Sequence, residues 1–119
     1  MPYQRGDIIE LPFLIPGKNK TEKHPAVIIS NDDVYNNEGI YICVMITHSE
    51  QNESFAFNLT PDMFLNPDNA PEGKAKAHLL AYVLENQVIK NSSSKKARMK
   101  KVYVDKLVDF INDMVLMEY

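Results

Sequence analysis

The stretch Glu22–Asn31, EKHPAVIISN, decides how this chain reads. A charged segment runs into Pro25 and then into the continuous apolar run Ala26-Val27-Ile28-Ile29, which stops at Ser30-Asn31. A short apolar run rich in β-branched residues, bounded by turn formers, predicts a strand over Pro25–Ser30 buried on both faces. His24, an ionisable ring held directly before a proline, is the residue of that stretch that no packing argument requires.

Outward from it, Gly6–Leu11 predicts a first strand bounded by Gly6 and Pro12. FLIPGKNKTEKH then predicts a long connection broken at Pro16-Gly17. NDDVYNNEG reads as a polar turn, and IYICVMIT as a third strand over Ile40–Thr47. SFAFNLT alternates, with Phe55, Phe57 and Leu59 on one face of a half-buried fourth strand. Thr60-Pro61-Asp62 predicts a short helix with Thr60 as N-cap, Pro61 at its first position and Asp62 near the positive end of the dipole; NPDNAPEG ends it. AHLLAYVLE predicts a fifth strand, in which His78 reads as structural. Val104, Leu107, Val108, Ile111 and Val115 form the stripe of an amphipathic C-terminal helix, with Phe110, Met114 and Met117 beside it. That wide apolar face packs on the sheet, or part of it meets another subunit. Strands first and a helix last predict a mainly β fold, an antiparallel sheet or small β-barrel with appended α-helices.

The 119 residues suit one domain, and 45% apolar with 24% charged residues is ordinary globular composition. No run approaches the roughly 18 apolar residues of a membrane span, and MPYQRGD carries no secretory pattern. The single cysteine, Cys43, reads as a small core residue, which makes the cytoplasm the simplest compartment. Residues 1–72 hold 4 Lys/Arg against 11 Asp/Glu, whereas residues 73–119 hold 9 against 5. The basic excess is concentrated in Lys90–Lys101, KNSSSKKARMKK, a solvated loop, a phosphate-facing surface or a dock for an acidic partner. His24, His48 and His78 are far apart, without HExxH or CxxC, so zinc has no support. GxxxxGK[ST], GxGxxG and GxSxG are absent as well.

Arg5-Gly6-Asp7-Ile8-Ile9, a glycine-containing loop, His24-Pro25-Ala26-Val27-Ile28-Ile29-Ser30-Asn31-Asp32 and then Val44-Met45-Ile46-Thr47 follow one another in order. This succession resembles the MazF/PemK/Kid family of toxin endoribonucleases, closely from Arg5 to Thr60 and more loosely beyond. The resemblance implies an SH3-like barrel with a C-terminal helix, a single domain over residues 1–119, a homodimer and a cognate antitoxin peptide as partner. It also implies cleavage of single-stranded RNA with no metal or cofactor: the 2′-OH attacks the adjacent phosphate, leaving a 2′,3′-cyclic phosphate and a 5′-OH. Such a reaction needs a base, an acid and donors for the charge of the phosphorane.

In the family, an arginine before the proline and a threonine ending the next strand carry the reaction. Thr47 matches the threonine, but His24 stands in the arginine's place. Imidazole exchanges protons near neutral pH, which guanidinium does not, but it gives up a permanent bidentate charge. Carried onto this sequence, the catalytic set is His24, Thr47 and Arg5, with His48, Ser49 and Lys23 as helpers. Lys20, Lys95, Lys96 and Arg98 are the residues expected to bind nucleic acid or antitoxin. Two alternatives stand beside the endoribonuclease: an impaired module that binds nucleic acid or antitoxin without turnover, and a protein-binding toxin like the related CcdB, which traps DNA gyrase. His48 also reads simply as a solvated residue of the loop HSEQNE.

Overall fold

A computed structural model describes residues 2–15, 17–48, 54–89 and 97–119. The apolar run at Ala26–Ile28 is fully buried and lies in the middle of the strand ladder. Five strands are ordered β1-β2-β3-β5-β4: β1 Ile8–Leu14, β2 Thr21–Ile28, β3 Ile40–Thr47, β4 Ala56–Asn58 and β5 Lys74–Leu84. Every neighbouring pair is antiparallel. Helix α1 spans Asp32–Glu38 and helix α2 Lys101–Ile111.

The segment expected to be a long connection is mostly the two arms of a hairpin. β1 runs through Pro12 to Leu14, and β2 begins at Thr21, with Leu11 opposite His24 and Pro12 opposite Lys23. The reason is directional. Ile28 N–H bonds Asp7 O towards β2, whereas Ile8 N–H bonds Ala97 O on the outer side. By alternation Pro12 also turns outward, where its missing N–H costs the β1–β2 ladder nothing.

Strand alternation sorts the side chains into two cores. One face carries Ile9, Leu11, Phe13, Ala26, Ile28, Tyr41, Cys43, Met45 and Val83. Burial pushes the Cys43 thiol up to about 12, as expected of an inert core residue. The other face carries Val27, Val44, Ile46, Phe64, Ala75 and Ala77, covered by Val104, Leu107 and Ile111 of α2. Of the stripe expected of the C-terminal helix, Val104, Leu107 and Ile111 are buried and Val115 packs partly, while Phe110 of the neighbouring stripe also joins this core, against Phe57. Beyond Ile111 the chain widens into a turn closed by Met117 N–H to Asn112 O at 2.7 Å, and Met114, Leu116 and Met117 stay exposed.

The two edges of the sheet are joined by Ala97–Lys100. On one side Met99 N–H bonds Gly6 O at 2.8 Å and Ile8 N–H bonds Ala97 O at 3.0 Å. On the other, Leu65 N–H bonds Arg98 O at 2.9 Å and Lys100 N–H bonds Met63 O at 2.8 Å. The bent sheet thus closes into a small barrel. Gly6 does more here than permit a turn: its φ is +95°, and a Cβ would sit 2.6 Å from Met99 O.

NDDVYNNEG is not a turn but α1. The Asn31 side chain accepts from Val34 N–H at 3.2 Å, and Gly39, at φ +70°, ends the helix. No residue of α1 is fully buried, so there is no apolar stripe to read. Tyr35 anchors it by stacking on Tyr41 at 4.9 Å and donating to Glu85 at 2.8 Å. At Thr60 there is only a single tight turn, Pro61–Met63, and the Thr60 hydroxyl donates to Asp62 rather than capping. Among the described residues no helix is long and apolar enough to cross a membrane.

Arg5 ties the chain start to α2. Its Nε donates to Ile29 O at 3.0 Å and its Nη2 to Asp105 Oδ1 at 2.9 Å, while Lys101 holds the other carboxylate oxygen at 2.9 Å. Lys101 first, then Arg5, holds the Asp105 carboxyl below its ordinary range. A depressed folded-state value means stability that is present above the unfolded pKa and is lost as pH falls through the folded one. Asp105→Asn is expected to lower the urea midpoint at neutral pH and to narrow its difference from wild type below about pH 4, as urea titrations across acid pH will show.

Candidate functional site at the parting of β2 and β3

The β2–β3 ladder runs Ile28↔Cys43, Val27↔Val44, Ala26↔Met45 and then stops. Ile29 N–H bonds Ile42 O on the β3 side, so by alternation Pro25 also faces β3 and has no N–H to offer. The strands part at that residue. His24 on β2 and Thr47 on β3 each lie two residues beyond the last pair, Ala26↔Met45, and by alternation on the face of those two residues. Across β3, Thr47 pairs with Lys74, and Lys74 pairs with Asn58 on β4. Thr47, Lys74 and Asn58 thus form a transverse row across β3, β5 and β4, and His24 lies on the parted end of β2.

Thr47 is held by close packing. Gly73, at φ +128°, leaves room for the Thr47 carbonyl, which would lie 2.1 Å from any Cβ there. A register shift between Val44 and Ile46 lets β5 bend so that Lys74 still meets Thr47. His24 is half-buried, its ring edge-on to Phe13 at 6.4 Å and its Nε2 3.4 Å from Glu22 Oε2. Glu22 Oε1 faces Lys18 at 3.1 Å and Lys20 at 3.9 Å. Lys18 above all, with smaller help from His24 and Lys20, holds the Glu22 carboxyl below its usual range, so it is an anion at neutral pH.

The remaining expected residues fall in different places. His48 lies one residue beyond the strand end and is exposed. Lys23 turns to the opposite face and pairs with Glu10 at 3.2 Å. Lys20 stands at the hairpin tip beside Glu22. Arg5 is not brought to this row: it contacts Ile29, five residues along β2 from His24, or about 17 Å at strand spacing. Arg98 is on the closing strip, with Nε 2.6 Å from Asp7 Oδ1, and lines a cavity of 330 Å³ together with Tyr3, Leu65 and Asn66. Ser49, Lys95 and Lys96 lie outside the described residues. His78 is exposed and rests against the Phe55 ring at 5.0 Å. No His/Cys/Asp/Glu group among the described residues is arranged to hold a metal ion.

Three residues of the site were missed in the sequence: Glu22, Lys74 and Asn58. Lys74 was hidden because the fifth strand was begun at Ala77, although KAKAH at Lys74–His78 has the charged–small alternation of a strand. Glu22 and His24 are two apart, the spacing that puts strand residues on one face, and that signal was available.

Comparisons with known proteins agree with this architecture. By sequence, no curated protein matches the chain. Among solved structures, a MazE-MazF crystal structure (Form-III) from Deinococcus radiodurans superposes with a TM-score of 0.66 at 13% identity, covering 98% of each chain. An endoribonuclease in complex with its cognate antitoxin, from Mycobacterial species, gives 0.64 at 12% identity, again over 98% of each chain. An endoribonuclease from Mycobacterial species gives 0.65 at 10% identity, covering 98% of this chain and 94% of that one. At such identities these likenesses establish a shared fold, the barrel with a C-terminal helix that the chain's strand order had suggested. The model of the family described as PemK-like, MazF-like toxin of type II toxin-antitoxin system matches residues 4–111. The chain belongs to that family.

Gly73→Ala should displace the Thr47–His48 peptide and destabilise the fold by about 1–3 kcal/mol, the scale of local backbone strain. Urea unfolding together with the amide shifts of Thr47 and Lys74 will read both effects.

Proposed function

We propose that this protein is a cytoplasmic toxin endoribonuclease that cleaves single-stranded RNA without a metal or cofactor and is held in check by a cognate antitoxin peptide. What supports the reading is that His24 and Thr47 sit on the strand ends just beyond the last β2–β3 pair, by alternation on the face of Ala26 and Met45, in a chain of this family. In the proposed reaction His24 takes the proton of the ribose 2′-OH as its oxygen bonds to phosphorus. The bond to the 5′-oxygen breaks, and that oxygen takes a proton from His48, one residue past Thr47. The products are a 2′,3′-cyclic phosphate and a 5′-OH. The Thr47 hydroxyl and the Lys74 ammonium face the phosphate and stabilise its developing charge. Lys74 thereby supplies the permanent cation that the histidine lacks, and Arg5 serves the fold through Asp105. Lys20 and Arg98, with Lys95 and Lys96, extend the contact to RNA or to an acidic antitoxin segment.

The protein acts as a homodimer in this reading. Ile42, Leu80, Tyr82 and Leu84 form an apolar strip along β3 and β5, on which Tyr82 is 72% exposed, and a second copy of the chain would cover it.

The second reading is an RNA- or antitoxin-binding module without turnover, and the observation favouring it is the histidine itself. Wild type, His24→Ala and His24→Arg assayed on long single-stranded RNA in EDTA, with analysis of product ends, separate the two. Cleavage to cyclic phosphate that falls about 100-fold or more in His24→Ala, the scale of a general base, is expected. Inert wild type with activity restored in His24→Arg would establish the binding module instead.

A further inference from the structure

We infer that Glu22 is the positioning residue of His24, a carboxylate on the same strand face that fixes which imidazole nitrogen meets the RNA. The inference rests on the ribonuclease reading for its consequence, but its geometry stands on β2 alone. Glu22 and His24 are two residues apart within β2, so their side chains project from the same face. The imidazole has little freedom to turn away. Its neighbours across the ladder are Leu11 and, beside Glu22, Phe13, whose ring stands edge-on to it. The two carboxylate oxygens are divided between different tasks. Oε1 takes the hairpin lysines Lys18 and Lys20, which keep the carboxylate charged and in place. Oε2 faces Nε2 of His24 at 3.4 Å. This is a long contact, of the kind that tightens when substrate closes a site.

With Nε2–H donated to Glu22, neutral His24 has its lone pair on Nδ1, and Nδ1 becomes the atom that takes the 2′-OH proton. The anion beside it then stabilises the imidazolium that forms, the service a buried carboxylate performs for a catalytic histidine in hydrolases. The proton balance is closed: one proton passes from the 2′-OH to Nδ1, and Glu22 itself is not protonated. An arginine in this position would need no such partner, because guanidinium has no tautomers and keeps its proton. The cations that face the Glu22 carboxylate are the ammonium groups of Lys18 and Lys20. Lys23 and Glu10 pair on the opposite face.

The test combines a substrate-free measurement with kinetics. Imidazole ¹⁵N spectra in alkaline buffer, with the His24 signals assigned by their loss in His24→Ala, report the tautomer directly. Wild type is expected to hold His24 as the Nε2–H form. Glu22→Gln, which keeps an acceptor oxygen, should retain most of that preference, and Glu22→Ala should lose it. In RNA cleavage, Glu22→Ala is expected to lower kcat about ten- to a hundredfold, the worth of one hydrogen bond to a charged group, with KM within about twofold. Glu22→Gln should fall between the two. An unchanged tautomer in Glu22→Ala overturns the inference whatever the activity. A lost tautomer with unchanged kcat overturns it equally. If the tautomer responds as expected and wild type cleaves no RNA, the positioning contact stands and the ribonuclease reading is the one that fails.

Discussion

The structure depends on a strip of four residues, Ala97–Lys100, hydrogen-bonded on both sides. It joins Gly6–Ile8 at one sheet edge to Met63–Leu65 beyond the other. Without it the sheet would have two open edges and its bend would be unsupported. With it, Ala97 and Met99 complete the core that α2 covers. The close approach at Gly6 follows, because at its φ of +95° a Cβ would lie 2.6 Å from Met99 O. The same strip leads directly into α2, and Arg5 and Lys101 then fasten α2 to the chain start through Asp105. The strip that closes the sheet and the helix that covers the core are therefore one continuous segment.

A closed sheet leaves few places for polar chemistry, and here a proline makes one. Pro25 faces β3 with no N–H, the ladder ends at Ala26↔Met45, and the strand ends that carry His24 and Thr47 separate. The defect lies at the edge of a well-packed core, so Ala26, Met45 and Leu11 hold the backbone around it. Rigid support beneath the strand ends is what the proposed site needs if its groups are to be held in place before substrate arrives. Lys74 and Asn58 join the row because Gly73 lets β5 pass close to Thr47.

In the proposed function, a histidine where the resemblance implies an arginine divides one residue's work. A guanidinium combines permanent charge with fixed donors, whereas an imidazole moves protons and needs orientation. In the proposed reaction the fixed charge falls to Lys74, paired with Thr47 across β3 and β5, and the orientation to Glu22 two residues before His24. The acidic excess of residues 1–72 is less of an obstacle than the count implies. Glu10 pairs with Lys23, Asp7 with Arg98 and Glu22 with Lys18, so these acids are internally compensated.

Much of this was legible in the chain, and the rest was hidden for identifiable reasons. Alternation and β-branched runs located β2, β3 and the buried stripe of α2, because periodicity reports burial directly. The resemblance of residues 5–60 led to the family, and with it to His24 and Thr47. Pro12 misled the end of β1, since a proline's cost depends on which way its nitrogen faces, and that is set by the partner strand. Helix α1 was invisible because only Val34 and Tyr35 are half-buried among otherwise exposed polar positions, too few to make a stripe. The charge run at Lys90–Lys101 gave no sign that Ala97 and Met99 are core residues. The sequence by itself determined which residues are apolar, where the backbone lacks an N–H and which chemical groups exist. Only the tertiary structure decided that Thr47, Lys74 and Asn58 line up across three strands, that His24 sits at the parted end of β2, and that Arg5 is tied to Ile29 and Asp105 instead. Register and closure are properties of paired strands, and no single strand contains them.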